Sequence, residues 1–283
     1  MKRGMGLKVW FITGSSSGFG RGLAETCLAR GDLVVATARR PQSLADLATR
    51  APDRLIAPEL DVTDPHHAEQ AVRQALDRFG RIDVLVNNAG YVQMGAVECV
   101  SDAETRAQFD TNVFGLLNVT RAALPAMRAR RSGTIVNVSS AGGMAGEPAA
   151  GIYCASKFAV EGASEALAAE LDPLGISVVI VEPGAFATNL TTAARFADAV
   201  DDYAPVLTPI RAALASGTLA LADPGLVIEA ILTAVETTDP PRRIMLGEDS
   251  LAAAGAKAAA IAEQIAASTT LTRSLANARG WRA

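Results

Sequence analysis

The chain has 283 residues, 49% of them hydrophobic and 20% charged, a balance that suits a folded protein with a sizeable core and argues against disorder. Its formal net charge of -4 and pI of about 5.3 supply no general basic field for nucleic acid or an anionic membrane surface. Three scattered cysteines, Cys27, Cys99 and Cys154, exclude a disulfide framework or a zinc site with paired ligands, so the expectation is a cytoplasmic protein without a bound metal.

In chain order, the apolar run Val9–Ile12 that follows Met1, Lys2 and Arg3 is too short for a signal-peptide core. No uninterrupted apolar run reaches spanning length, so membrane insertion is not expected. Seven β-rich runs then alternate with Ala/Leu-rich helical stretches: Val9 to Thr13, Leu33 to Ala38, Leu55 to Leu60, Val84 to Asn87, Thr134 to Ser139, Val178 to Glu182 and Arg243 to Leu246. Their apolar character is continuous rather than alternating, which predicts a parallel sheet covered on both faces. The expected fold is a doubly wound α/β/α sandwich of the Rossmann type, one domain over 1–283. Helix punctuation supports the frame: "ARGD" stops one helix at Gly31, Asp64 with Pro65 opens another, and "DPLGIS" ends a third. The run Arg128, Arg130, Arg131 reads as the cationic close of a helix before Gly133. From about Phe186 to Asp223 the alternation lapses, which predicts an insertion acting as a substrate loop (186–223), and the last residues, about 247–283, read as a helical tail.

The stretch "FITGSSSGFGRG", Phe11 to Gly22, places glycines between a strand and a helix start. Unpaired N–H groups and the positive end of the helix dipole meet there, so the turn predicts a phosphate site. Gly14 permits the turn, Gly18 lets backbone approach a pyrophosphate, and Gly20 lets the helix lie close to the sheet. No lysine follows the glycines, which disfavours nucleotide triphosphate hydrolysis.

Four segments in register, "TGSSSGFG", "NNAG" at Asn87 to Gly90, "YCASK" at Tyr153 to Lys157 and "EPGAFAT" at Glu182 to Thr188, closely resemble the short-chain dehydrogenase/reductase family over about Lys8 to Leu246. The resemblance implies an NAD(P)(H)-dependent oxidoreductase that moves a hydride between nicotinamide and a carbonyl carbon. Tyr153 and Lys157 lie four apart on a predicted helix and share a face, and an ammonium beside a phenol favours its ionised form. The pair is expected to act as a general acid/base, with the phenol lowered by Lys157 and the cofactor ring. The family pattern further implies Ser140 as the residue that hydrogen-bonds the substrate oxygen. Strand residues alternate faces, so one of Ser139 and Ser140 points into the site, and Ser139 is the alternative. Asn112, in "NVFG", matches the asparagine that holds a water in the relay to Lys157. Carried over in the same way, Gly14, Ser16, Ser17, Gly18, Phe19 and Gly20 should wrap the cofactor. Asp61 and Val62 should meet the adenine, Asn88, Ala89 and Gly90 the ribose, and Pro183, Gly184 and Thr188 the nicotinamide end.

Cofactor choice is read at the end of the second strand. NAD-binding sheets place an acid there, but this chain has Ala38 followed by Arg39 and Arg40, which predicts preference for NADP(H), with NAD(H) possible. Gln93, Met94, Met144 and Phe186 are candidate substrate contacts, and their apolar cast points to a hydrophobic alcohol or ketone. Cys154 has no histidine partner for nucleophilic work, and the adjacent His66 and His67 diverge by about 100° on a helix, a poor metal pair. A non-catalytic dinucleotide sensor on the same fold is the alternative, disfavoured by the presence of Asn112, Ser140, Tyr153 and Lys157. The helical stretches about Thr111 to Arg131 and Ile152 to Leu171 are expected to pair two copies, a dimer in preference to a tetramer.

Overall fold

The structure, a computed structural model, describes residues 7–188, 194–198, 200–216 and 221–279. Strands and helices follow in the order β1 (Val9–Ile12), α1 (Gly18–Ala29), β2 (Leu33–Ala36), α2 (Ala45–Arg50), β3 (Leu55–Ile56), α3 (Pro65–Phe79), β4 (Val84–Asn87), β5 (Gln93–Met94) and α4 (Asp102–Phe109). A π-helical turn, Asp110–Phe114, leads into α5 (Gly115–Arg130), then β6 (Gly133–Val138), α6 (Gly151–Leu171), β7 (Ile176–Pro183), β8 (Arg195–Phe196), α7 (Ala204–Ser216), α8 (Gly225–Glu236), β9 (Arg243–Leu246) and α9 (Glu248–Arg279).

Seven strands form one all-parallel sheet in the order β3-β2-β1-β4-β6-β7-β9. Chain direction of travel reverses beside β1, between β2 and β4, so the carboxyl ends of β1 and β4 open a crevice at the switch point. Side-chain alternation divides the core. Trp10, Ile12, Val34 and Val86 pack toward Leu23 and Cys27 of α1 and Ile231 of α8, while Val9, Phe11, Val35 and Leu85 pack toward Val72 of α3, Val119 of α5 and Ala168 of α6. Burial on both faces is why the strands read as unbroken apolar runs.

The helix punctuation works as the sequence implies. Asp64 caps α3 by accepting the His66 N–H at 2.8 Å, and Gly80 and Gly175, at φ 75° and 70°, provide left-handed exits that a β-carbon would strain.

The expected insertion is closed at its base by a single parallel bridge between Phe186 and Ala222. Its described part carries β8 and α7; residues 189–193, 199 and 217–220 of the expected loop lie outside the described residues. β8 pairs with β5 in parallel, Gln93 opposite Arg195 and Met94 opposite Phe196, which anchors the insertion beside the sheet's carboxyl edge. The tail is one helix, α9; among its described side chains those buried are Ser250 and Ala254, in its first turns.

Candidate active site

Each strand delivers its piece of the site from its carboxyl end. At β1, Thr13 is 1% exposed, and its hydroxyl accepts the N–H groups of Asn88 and Ala89, both at 2.9 Å. Asn88 answers through its side-chain amide, which donates to the Thr13 carbonyl at 2.9 Å and the Gly14 carbonyl at 3.2 Å. The glycine turn is thereby tied to the end of β4. Gly14 and Gly18 sit at φ 67° and 56°, and a β-carbon on Gly20 would come within 2.6 Å of the Gly14 oxygen. Ser17 precedes α1 in extended conformation without a side-chain cap, so the first N–H groups of α1 are left for an outside acceptor. A β-carbon on Gly18 would stand 3.6 Å from the Thr188 side chain, so the turn and the "EPGAFAT" loop face each other across a narrow gap. That cradle fits a dinucleotide pyrophosphate.

Next to it, Ala38 is buried and bridges to Glu59, while Arg39 and Arg40 are exposed. Burial works against the Asp61 charge, but the Thr63 hydroxyl and N–H, and the positive Arg39, hold its carboxyl below the usual range. Val62 is buried against Gly115.

The side chains expected to react come from the end of β6, α6 and the π-helical turn. Tyr153 and Lys157 stand one turn apart on α6, 8% and 7% exposed, with the Lys157 ammonium 5.8 Å from the phenol ring centre. Lys157 Nζ donates to the Val138 carbonyl at 2.8 Å. Asn112 is buried in the π-helical turn; its Oδ1 accepts the Tyr91 N–H at 3.1 Å, and its Nδ2 donates to the Tyr91 carbonyl at 3.1 Å and to Ser156 Oγ at 3.2 Å. A β-carbon on Gly90 would lie 3.1 Å from Asn112 Oδ1 and 3.9 Å from Lys157 Nζ, so the bare backbone there lets both polar groups approach. Of the two serines, Ser140 sits against the phenol and accepts the Gly142 N–H at 3.2 Å, whereas Ser139 is buried beside Gly143 and Glu161.

The chain's own groups act against the expected lowering of the phenol. From the chain's own groups, burial pushes the Tyr153 phenol up to about 12, opposed by the Ser140 hydroxyl, rather than down. Burial likewise brings Lys157 down to about 8, with the Glu161 charge opposing. Both shifts have one cause: the apolar surroundings disfavour each charged form, and the ammonium is spent on a carbonyl instead of the phenol oxygen.

The four candidate substrate contacts are largely taken up by packing. Gln93 is 2% exposed, with its amide donating to Glu104 at 3.0 Å and its backbone N–H to Gln108 at 2.7 Å, so it braces β5 against α4. Phe186 meets Phe19 edge-on at 5.8 Å inside the main core. The Met144 sulfur lies 3.1 Å from Arg243 Nη1. Met94 joins Ala149, Leu207 and Ile210 in a small apolar cluster under α7.

A family model described as short chain dehydrogenase matches residues 8–198. The chain belongs to the short-chain dehydrogenase family. It is 38% identical over 252 residues to the oxidoreductase BOA17 of Botryotinia fuckeliana, covering 88% of this chain and 92% of that one. A short-chain dehydrogenase from Streptomyces avermitilis superposes with a TM-score of 0.90 at 42% identity, covering 96% of this chain and 100% of that one. Another, from Burkholderia phymatum in complex with NAD, superposes with a TM-score of 0.72 at 28% identity over 81% of this chain and 85% of that one.

Beyond the expected residues, this short-chain dehydrogenase carries a partly buried ion cluster. Arg243 of β9 reaches Glu161 of α6 at 2.6 Å, Glu165 at 2.6 Å, and Glu182 of β7. Glu182 has no exposed side-chain surface, and burial together with the Glu161 charge pushes its carboxyl up to about 7 against the pull of Arg243. A glutamate closing an otherwise apolar strand is the sequence signal for this cluster, and Thr13 is legible as the strand end that opens the "TGSSSGFG" turn. Two surface grooves flank β9, one along Leu226, Ala230 and Ile244, the other along Ser164, Val178 and Arg242, both away from Tyr153. Among the described residues no group of three His, Cys, Asp or Glu side chains could hold a metal ion, and no helix is long and apolar enough to cross a membrane.

Proposed function

We propose that this oxidoreductase interconverts a hydrophobic ketone and its secondary alcohol, with NADP(H) preferred over NAD(H). The observation that carries the reading is the clustering of Ser140, Tyr153 and Lys157, with Lys157 Nζ close to Gly90 at the end of β4. The nicotinamide, when bound, supplies or accepts the hydride. Tyr153 gives the carbonyl oxygen its proton on reduction and takes it back on oxidation, and Ser140 holds that oxygen by a hydrogen bond. Lys157 would bind the cofactor ribose and, together with the positive nicotinamide ring, would bring down the phenol that burial alone raises. Asn112 fixes Tyr91 and α6 through Ser156, and so positions the water-bearing route to Lys157.

Gly14, Ser16, Ser17, Gly18, Phe19 and Gly20 would receive the pyrophosphate, Asp61 and Val62 the adenine, Asn88 to Gly90 the ribose, and Pro183, Gly184 and Thr188 the nicotinamide end. Arg39 and Arg40, exposed beside buried Ala38, would meet the 2′-phosphate where an acid would repel it. The apolar cluster of Met94, Leu207 and Ile210 supports a hydrophobic substrate. Phe114 and Phe158, 52% and 41% exposed beside α5 and on α6, support pairing of two copies through these helices. Three free cysteines suit the cytoplasm.

The test is a panel of ketones and secondary alcohols, followed by nicotinamide absorbance with NADPH and NADH. Activity on apolar members is expected, with kcat/KM about ten- to a hundredfold higher for NADPH, the worth of one charge-assisted phosphate contact. Ala38→Asp with Arg39→Ala should reverse that ratio. Cofactor binding without turnover on any member would favour a sensor instead.

A further inference from the structure

The family match ends at residue 198, yet the tail helix α9 reaches back to the "EPGAFAT" loop. After β9 the chain turns at Gly247, φ 97°, and the next residues grip the loop from both sides. Ser250, wholly buried, donates its hydroxyl to the Glu182 carbonyl at 2.8 Å. Asp249 Oδ2 accepts the Ala185 N–H at 2.6 Å, and its carboxylate lies over Gly184, where any β-carbon would collide with it. Between these bonds the Gly184 N–H donates to the Leu246 carbonyl at 2.9 Å, and on the far side the Ala185 carbonyl accepts the Ala222 N–H at 3.0 Å.

The loop is thus held at Glu182, Gly184 and Ala185 by the end of β9 and the start of α9, which also packs on the Ala141–Gly143 turn. Of α9, Ser250 and Ala254 are buried, while Leu251, Ile261, Ile265 and Leu271 are exposed, so the helix adds little to the core. A buried hydroxyl and a carboxylate bonded to backbone are costly unless their partners are kept in place, and they fix the geometry of what they touch.

We propose that Asp249 and Ser250 are positioning residues that latch the Glu182–Thr188 loop, and that the latch sets how tightly the nicotinamide end of the cofactor is held. The proposal rests on the reading that this loop holds the nicotinamide. Ordering the loop in advance removes an entropy cost from binding, so loss of the latch should appear in affinity and in KM for cofactor more than in kcat.

The experiment uses the full chain and compares wild type with Asp249→Ala, Asp249→Ala/Ser250→Ala and the conservative pair Asp249→Asn and Ser250→Thr, which keep an acceptor and a hydroxyl. Amide hydrogen exchange over 183–188 is followed in the protein alone, and NADPH and NADH affinity is measured by titration. The double alanine variant should exchange faster over 183–188 with the sheet unchanged, and should bind cofactor about tenfold more weakly, the worth of roughly one hydrogen bond to a charged group. The conservative variants should stay within about threefold of wild type. If the double variant does not fold, Asp249→Ala, altered at an exposed side chain, carries the test with the same direction of change. Unchanged exchange over 183–188 would overturn the latch, and so would faster exchange with unaltered affinity. Wild type that bound neither dinucleotide would overturn the cofactor reading itself, and the latch's role with it.

Discussion

On the β1–β4 side of the sheet, the glycine turn is shaped by backbone and neutral side chains: Thr13 and Asn88 bond only to main-chain groups, and Gly14, Gly18 and Gly20 leave the space. On the β6–β7–β9 side, the same sheet buries Tyr153, Lys157, Glu161 and Glu182, with Arg243 reaching in from its edge. The first region needs a shape that receives a charged group from outside. In the second, burial shifts Tyr153 and Glu182 up and Lys157 down, which suits the proton handling proposed for Tyr153 and Lys157. Shape and proton handling are therefore separable here, and substitutions in each half should fail differently.

The largest effect is expected from closing the glycine cradle. On Gly20 a β-carbon would lie 2.5 Å from the Asn88 amide nitrogen and 2.6 Å from the Gly14 oxygen. Gly20→Val should weaken cofactor binding by about 10²- to 10³-fold, the worth of one or two phosphate contacts, as read by calorimetric titration. Lys157→Ala cuts across the comparison, because that ammonium belongs to both halves. It should lower turnover about 100-fold and cofactor affinity about tenfold, so a loss confined to either would assign Lys157 to one half alone.

Glu182→Gln sharpens the second half with a smaller effect. The Glu182 carboxyl is raised from 4.5 to about 7, so it takes up a proton on folding. Its stabilising contribution is complete below about pH 4.5 and is lost as pH rises through about 7. Denaturant unfolding at about pH 5 and pH 8 should show wild type losing on the order of 2 kcal/mol more than Glu182→Gln over that range.

Much of this was legible in the sequence. All seven strands of the sheet and the glycine turn follow from local pattern, because buried parallel strands and helix caps leave continuous runs and fixed punctuation. The pairing of Gln93–Met94 with Arg195–Phe196 was not legible: each strand is two residues long, and their partners lie far apart in the chain. Nor was the ion cluster, which exists because β7 and β9 run in register and bring Arg243 beside Ile180, within reach of Glu161 across the helix layer. Met144 illustrates the same point, since an apolar residue near the reactive tyrosine in sequence proves to line Arg243. The upward pull of burial on the phenol was not legible either, because desolvation depends on packing that the spacing of Tyr153 and Lys157 does not show.

The most direct test of the separation between binding and proton transfer is Tyr153→Phe, measured by cofactor titration and turnover in the same preparation. Removing one hydroxyl from a side chain that otherwise fills the same space should leave cofactor affinity within about twofold of wild type while turnover falls by about 10²- to 10⁴-fold. Turnover comparable to wild type, or a parallel loss of affinity and turnover, would contradict the assignment of Tyr153 as the proton-transfer group.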